Sequence, residues 1–544
     1  MRRTRKLVAA LAAAALSTLA IQGTTEAAPD QARGPAAKPQ RVLIIVVDAL
    51  SKEIVKKYGM TNVQSLMRDQ VDSPKSYLGH VGSVTVVTHN VLTSGLLPKH
   101  MGWTDDGYRD VDNVLGTPGG LWIPSDWTKD QMFAVQQHIG KPKLADYLHT
   151  GRPGSKVFTV SPKRYAAWAY GGPTSDTIVT FGGSKTCPDG LKYRVVDGVN
   201  VPSYLSEDCG RYFVPRLSAG AYDTGGLPAS LYSVGDDRYV VGKNAAHAGG
   251  DVWAADAAID IMRHEDNWSG LFVTLPGVDK AAHMWGGVTD PGGADPMTHM
   301  EFAASTADQQ VGRLIAELKS QDKWKDTLVV LTADHGSVAG KHFHGDTSAE
   351  LDYGYYNWYY GTAQNGSYLK PQAALKPLTD TGNVGLSYSD SMLRAWLTDQ
   401  SPAKVAEAAK IMATLPDVSA VWVRDGDHYN RASKIKWRKM RRGAEKSWFA
   451  RHARELVNTE AAPYGPDVIA TLVEDTTYSI AGDHGGIQRQ SQQIPIVFAG
   501  SGLGRKDLQA KIRSVDIMPT ILRAMQIPIT SSMDGVAYRL RSRR

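Results

Sequence analysis

At 544 residues the chain has room for one large α/β domain with insertions, or for two to three domains of roughly 150 residues each. Apolar residues make up 42% and charged residues 21%, an ordinary globular composition that excludes a disordered, fibrous or membrane-filling polypeptide. The formal charge of +6 falls to +3 without the four cations Arg2, Arg3, Arg5 and Lys6 and the one anion Glu26, too little to indicate nucleic acid as a partner.

Residues 1–27 open with that basic cluster, run apolar from 7 to 21 and reach Thr25-Glu26-Ala27, a small-x-small cleavage pattern. A removable secretory leader is expected, and with it a secreted or cell-wall-associated protein. An uncleaved anchor is the competing reading, but the run is short and alanine-rich for a membrane span. Residues 28–40, rich in Pro and Ala, read as a linker ahead of a folded part that begins at 41.

Arg41 is followed by six apolar residues and Asp48, the pattern of a strand buried on both faces with an acid where it emerges. Asp48 can be a metal carboxylate or the N-cap of a helix near Ser51. After Gly82 come Ser83, Thr85 and a helix-length segment closed by Gly95, which puts one of the two hydroxyls near a helix N-terminus. There the dipole favours an anion, and capping and nucleophilic roles are both open. Residues 109–250, rich in Gly, Pro, Trp and Tyr without long periodic runs, read as loops plus an inserted lid. Within them a strand over 156–160 leads to Lys163 and Arg164, cations that can face an anionic substrate or form a solvated turn. The two cysteines, Cys187 and Cys209, fall in the same segment and are expected to pair as a disulfide in an oxidising compartment.

Residues 251–264 read as a helix and 270–275 as another buried strand. Asp279 and His283 follow at i and i+4, on one helical face and able to reach one metal ion. A helix over 298–319, apolar at three- and four-residue spacings, delivers a strand over 327–332 and then Asp334-His335-Gly336. Carboxylate and imidazole side by side at the end of a buried strand suit a hard or borderline divalent cation. Lys341, His342 and His344 are expected in a lid or substrate contact, outside the metal shell. Residues 340–475 read as a second insertion. Its 434–454 stretch interleaves nine basic residues with Trp437, Trp448 and Phe449: a solvated helix face over buried aromatics, or a contact surface for an anionic polymer or lipid. Residues 478–486 carry Asp483-His484, ahead of a last strand over 494–500.

Asp48, Asp279, His283, Asp334, His335 and His484 all lie at a predicted strand end or in a Gly-flanked loop. Three carboxylates and three imidazoles suffice for two metal ions. Their order, with Thr85 after the first, resembles the alkaline phosphatase superfamily, above all its nucleotide pyrophosphatase/phosphodiesterase and single-domain phosphatase branches. The resemblance spans residues 41–540. It implies an α/β fold with a central, mostly parallel β-sheet flanked by helices, and inserted lid segments. It assigns Asp279, His283 and His484 to one metal ion and Asp48, Asp334 and His335 to the other, with zinc suggested by the mixed His/Asp set. Thr85 matches the nucleophile, ten residues before Gly95; His89, Pro98 and Gly102 fit the motif, whereas Ser94 and Met101 depart from it. A covalent phosphothreonine intermediate is implied. The Cys/Ser-x-Pro-x-Arg motif of the superfamily's sulfatases does not occur in the sequence.

Monoesterases that resemble this chain place an Asn downstream of the nucleophile and a Lys-x-Arg turn against the non-bridging oxygens. Here Asp105 takes the Asn position, and the turn reads Ser161-Pro162-Lys163-Arg164, with the Arg one place early. A carboxylate facing a phosphoryl dianion is repulsive. A phosphodiesterase or nucleotide pyrophosphatase is therefore expected, acting on small phosphate esters or nucleotides with Asp105, Lys163 and Arg164 around the phosphoryl group. A broad alkaline phosphatase or phosphonate hydrolase is the alternative, and a non-catalytic cell-wall-associated binding protein is the reading from another class. No motif specifies a nucleic-acid partner or an oligomeric state.

Overall fold

The apolar runs that end in acids occupy the middle of the main sheet. The computed structural model describes residues 38–186, 192–205, 215–216, 250–290, 292–293, 299–343, 375–441, 443–479 and 482–540. Its main sheet is built from β1 (Arg41–Val47), β2 (Val71–Asp72), β3 (Lys156–Val160), β4 (Thr177–Thr186), β5 (Lys192–Val199), β6 (Pro215–Arg216), β7 (Trp268–Leu275), β8 (Thr327–Thr332), β9 (Ile496–Gly500) and β10 (Lys506–Asp507). The ten strands stand in the order β10-β2-β9-β8-β1-β7-β3-β4-β5-β6. The central five, β8-β1-β7-β3-β4, are parallel, and β9 runs antiparallel to β8.

Residues 42–47 of β1 and every residue of β7 and β8 are buried, which is why β1 and β8 read as near-continuous Val/Ile/Leu runs instead of alternating. Helices Asp251–His264 and His299–Ser320 share one apolar cluster with them, together with Ile517–Met525. The Thr85–Ser94 helix is buried along its whole length and is stopped by Gly95, whose φ of 65° lies in the left-handed region that closes helices.

Parallel strand order brings the candidate residues together. The C-terminal ends of β8, β1, β7 and β3 lie side by side, so the residues leaving them (Asp334-His335, Asp48, Asp279 and Lys163) are neighbours despite wide separation in the chain. Because β9 is antiparallel to β8, the loop that enters it arrives at the same edge and carries His484.

The described residues between 109 and 250 are more than loops and a lid. They supply helices Lys129–Ile139, Leu144–Gly151 and Arg164–Gly171 and the strands β3 to β6 of the main sheet. The helices are short and split between cores, Met132, Val135 and Trp168 joining the cluster of Trp103 and Trp127 and Leu144 and Leu148 the main one, so no long periodic run marks them in the sequence. Within the second expected insertion, Val384–Ser389, Met392–Leu397, Val468–Leu472, Val418–Asp425 and His428–Arg431 pair in that order as a five-stranded antiparallel sheet. Helix Pro402–Met412 covers it with an apolar cluster of its own. In the basic stretch, Trp448 and Phe449 are buried under helix Ala444–Val457 while Trp437 is 38% exposed. No helix among the described residues is long and apolar enough to cross a membrane. Residues 1–27, Cys187, Cys209 and His344 lie outside the described residues.

Lys143 is buried at the start of Leu144–Gly151 and donates to Asn90 Oδ1 on the Thr85–Ser94 helix and to the Ala169 carbonyl. Burial pushes its ammonium down to about 7 from an ordinary 10.5. Between those values the unfolded chain binds a proton that the folded one does not, so stability rises with pH across that window. Lys143→Met is expected to flatten the rise, as urea midpoints measured from neutral pH to pH 10 would show.

Candidate metal centre and active site

Asp48 leaves β1 into a sharp turn in which Ala49 takes a left-handed φ of 61°, and the Ala49 N–H donates to Asp334 Oδ1. The His335 N–H donates to the same oxygen, which leaves Asp334 Oδ2 for another partner. His335 Nε2 lies 3.4 Å from Asp48 Oδ1 and 3.6 Å from Asp334 Oδ2. On the other side, Asp279 Oδ1 lies 3.2 Å from His283 Nε2 and 3.7 Å from His484 Nε2. Ligand atoms about 2.0–2.2 Å from a tetrahedral cation are about 3.3–3.6 Å from one another, so both sets have the spacing of a metal shell. None of Asp48 Oδ1, Asp279 Oδ1 and Asp334 Oδ2 accepts a hydrogen bond from a described residue, although all three are buried. The donor set therefore fits a divalent cation on each side.

The expected triads are met differently. The donor atoms of Asp48, Asp334 and His335 lie within 4.8 Å of one another, as do those of Asp279, His335 and His484 and those of His283, Asp483 and His484. The triad of Asp279, His283 and His484 is thus joined pairwise through Asp279, and Asp483 stands beside two of its members.

Lys163 Nζ donates to Asp48 Oδ2 and Asp279 Oδ2, 2.6 Å from each. One ammonium against three buried carboxylates leaves negative charge in excess. Burial, helped by Asp279 and Asp334, pushes Asp48 well above the carboxylate range, and burial lifts Asp334 to about 6. Asp279 is buried too, yet His283 and Lys163 hold it well below that range. Burial pushes His335 down, and burial with the neighbouring His335 pushes His484 down, so both imidazoles are neutral with a lone pair to offer.

Thr85 is the first residue of its helix, and its Oγ1 lies 3.2 Å from His335 Nε2. Ser83, the other candidate hydroxyl, turns to Ser491 Oγ and the Gly486 carbonyl. One helical turn on, His89 bonds the Thr85 carbonyl oxygen through Nδ1 and Thr274 Oγ1 through Nε2, clamping the helix to the end of β7. His80 bonds the Gly82 carbonyl and Thr88 Oγ1 in the same way. Burial pushes both rings down to about 3, so they remain neutral supports.

A family model for type I phosphodiesterase / nucleotide pyrophosphatase matches residues 42–352, from the first buried strand past Asp334-His335. The chain belongs to this family. It is also similar to alkaline phosphatase PhoD of Zymomonas mobilis, 23% identical over 94% of this chain and 90% of that protein. Alkaline phosphatase PhoK of a Sphingomonas species is 23% identical over 93% and 92%. Among solved structures, wild-type alkaline phosphatase PafA superposes with a TM-score of 0.55 at 15% identity, covering 93% of this chain and 99% of that one. Murine ectonucleotide pyrophosphatase/phosphodiesterase 5 gives 0.52 at 11% identity, covering 91% and 97%. The protein is a phosphoester hydrolase of the alkaline phosphatase superfamily with that superfamily's fold.

Three residues expected around the phosphoryl group of this phosphodiesterase-family site are placed differently. Lys163 is in the cluster, whereas Arg164 is exposed at the first residue of its helix. Asp105 is fully buried, but Arg394 takes up its carboxylate, with Nη2 2.7 Å from Oδ1 and Nε 2.7 Å from Oδ2. The same guanidinium binds both oxygens of Asp390. Burial and the charge of Asp105 push neighbouring Glu460 well above its usual range. Neighbouring Asp106 accepts from the Ser125 N–H and the Tyr388 hydroxyl. His342 is exposed, 3.9 Å from Asp417.

Sequence reading missed Arg394, whose signal was a lone cation in the otherwise apolar, wholly buried strand Met392–Leu397. Replacing it by Met would leave Asp105 and Asp390 buried without a counter-charge. Arg394→Met is expected to destabilise the protein by about 3–5 kcal/mol, read as a lower denaturation midpoint at unchanged slope.

Proposed function

We propose that the protein is a secreted, metal-dependent phosphoric ester hydrolase in which Thr85 attacks phosphorus and is transiently phosphorylated. The observation that carries this reading is the Thr85 hydroxyl 3.2 Å from His335 Nε2, beside buried carboxylates in excess. Two divalent cations, zinc by donor chemistry, would be held by Asp48, Asp334 and His335 and by Asp279, His283 and His484. When bound they supply Lewis-acid stabilisation of charge on the phosphoryl and leaving oxygens. Thr85 Oγ1 forms the new bond to phosphorus while the leaving oxygen takes the bonding pair and, in the net balance, the Thr85 proton; water oxygen then bonds to phosphorus, the bond between phosphorus and Oγ1 breaks, and one water proton restores the Thr85 hydroxyl. His89 and His80 keep the attacking helix in place. The leader-like residues 1–27 support export, and the exposed basic edge around Trp437 supports contact with an anionic surface.

For the substrate, the diester expectation rested on an open Asp105 carboxylate. With Arg394 on Asp105 that repulsion is neutralised, and the Lys163 ammonium in the cluster favours a phosphomonoester dianion. The near-full-length likeness to alkaline phosphatases supports the same class. A phosphodiester or nucleotide pyrophosphate substrate is the second reading, favoured by the family that matches residues 42–352.

Thr85→Ala is expected to lose at least about a thousandfold in turnover while retaining bound metal. Unchanged hydrolysis would remove Thr85 from the mechanism. Lys163→Ala is expected to slow p-nitrophenyl phosphate by about 10–100-fold and bis-p-nitrophenyl phosphate by much less. Initial rates on both esters, with and without a chelator, check the metal requirement and the substrate class together; a clear preference of the wild type for the diester would favour the second reading.

A further inference from the structure

We propose that Asp483 is a positioning residue of the Asp279–His283–His484 metal site. Its carboxylate holds the His283 ring from the Nδ1 side, so that Nε2 faces a cation together with Asp279 Oδ1. The proposal rests on the two-cation reading above and gives Asp483 a role that its sequence position alone does not assign.

Two imidazoles of the cluster share one pattern, and the third approaches it at longer range. His335 turns Nε2 toward Asp48 and Asp334, and its Nδ1 lies 3.1 Å from the Gly336 carbonyl oxygen. His484 turns Nε2 toward Asp279 Oδ1, and its Nδ1 lies 3.0 Å from the Ser83 carbonyl oxygen. His283 turns Nε2 toward the same Asp279 oxygen, and its Nδ1 lies 3.8 Å from Asp483 Oδ1. An acceptor on the Nδ1 side selects the tautomer with the proton there and leaves the Nε2 lone pair for the metal. For His335 and His484 that acceptor is backbone, beyond the reach of substitution. For His283 the group on that side is the Asp483 side chain, 3.8 Å away and beyond direct hydrogen-bond distance.

Distances separate a positioning role from direct ligation. Asp483 Oδ1 is 3.8 Å from His283 Nδ1 and 3.9 Å from His484 Nε2, whereas Asp279 Oδ1 is 3.2 Å from His283 Nε2 and 3.7 Å from His484 Nε2. Asp279 is therefore the better-placed ligand, and Asp483 stands behind it. Asp483 is itself held, by the Ser479 hydroxyl on Oδ2 and the His484 N–H on Oδ1. The loop that carries it is pinned as well. Gly485 has a φ of 99°, and any Cβ there would collide with the Asp390 carboxylate, so the turn packs directly on the Arg394 ion-pair group.

The test is metal binding by the full chain, with zinc titrated against a competing chelator and bound metal counted by mass spectrometry. Wild type and Asp483→Ala are both expected to carry two zinc ions at saturation. In Asp483→Ala one of the two dissociation constants should rise about 10–100-fold. Asp483→Asn, which keeps a carbonyl acceptor, should lose less, and the visible absorption of the cobalt-loaded variant should shift while its circular dichroism matches wild type. Unchanged constants in Asp483→Ala would overturn the proposal. So would loss of a whole metal equivalent at saturation, the behaviour expected of Asp279→Asn, because Asp483 would then be a ligand. Fewer than two zinc ions on the wild type would overturn the two-cation reading as well.

Discussion

Asp48, Asp279 and Asp334 are buried in one cluster where a single ammonium, from Lys163, reaches two of them. Like charges crowded into a medium of low dielectric repel one another, and desolvation alone costs several kcal/mol per ion. A fold can hold such a group only if its frame is rigid and stable for other reasons. The fully buried β1, β7 and β8 are that frame, with helices of the main core packed against them. The raised Asp48 and Asp334 and the depressed Asp279 express the same constraint: the cluster is poised for cationic partners.

The parts of the site have separate origins. Parallel strands deliver carboxylates and the ammonium from their C-terminal ends, the loop entering β9 delivers His484, and a buried helix presents Thr85. Neutral, fully buried His80 and His89 add hydrogen bonds to the attacking helix without adding charge. The antiparallel sheet adds Arg394, which neutralises Asp105 and Asp390 and thereby changes the electrostatic case about the substrate. That same ion-pair group lies against the Gly485 turn and so supports the loop that brings Asp483 and His484 to the metal side.

Several features were legible in the chain because they are local. A Val/Ile/Leu run ending in Asp, as at 42–48 and 328–334, can be read as a buried strand with a functional acid, since both burial and exit are encoded within a few residues. The Asp279/His283 pair comes from helical spacing alone, and the helix over Asp251–His264 matches its sequence reading at both ends. Less was legible between 109 and 250, where short helices pack through scattered aromatics and carry no long period. There a segment read mostly as loops contributes four strands of the main sheet, of which only the one over 156–160 was expected.

By itself, then, the sequence determined the fold class, the strand-end acids and the likeness to phosphoester hydrolases, because periodicity and motif order are properties of neighbouring residues. Local pattern alone did not separate Ser83 from Thr85, although the resemblance pointed to Thr85, and the sequence placed Asp105 on the substrate. Only the tertiary structure decided those points. Thr85 rather than Ser83 touches His335, Asp105 is matched by Arg394 almost three hundred residues away, and Asp483 stands behind His283. The physical reason is that charge compensation and imidazole orientation act through space over a few ångströms, across strand order and loop packing that no local pattern records.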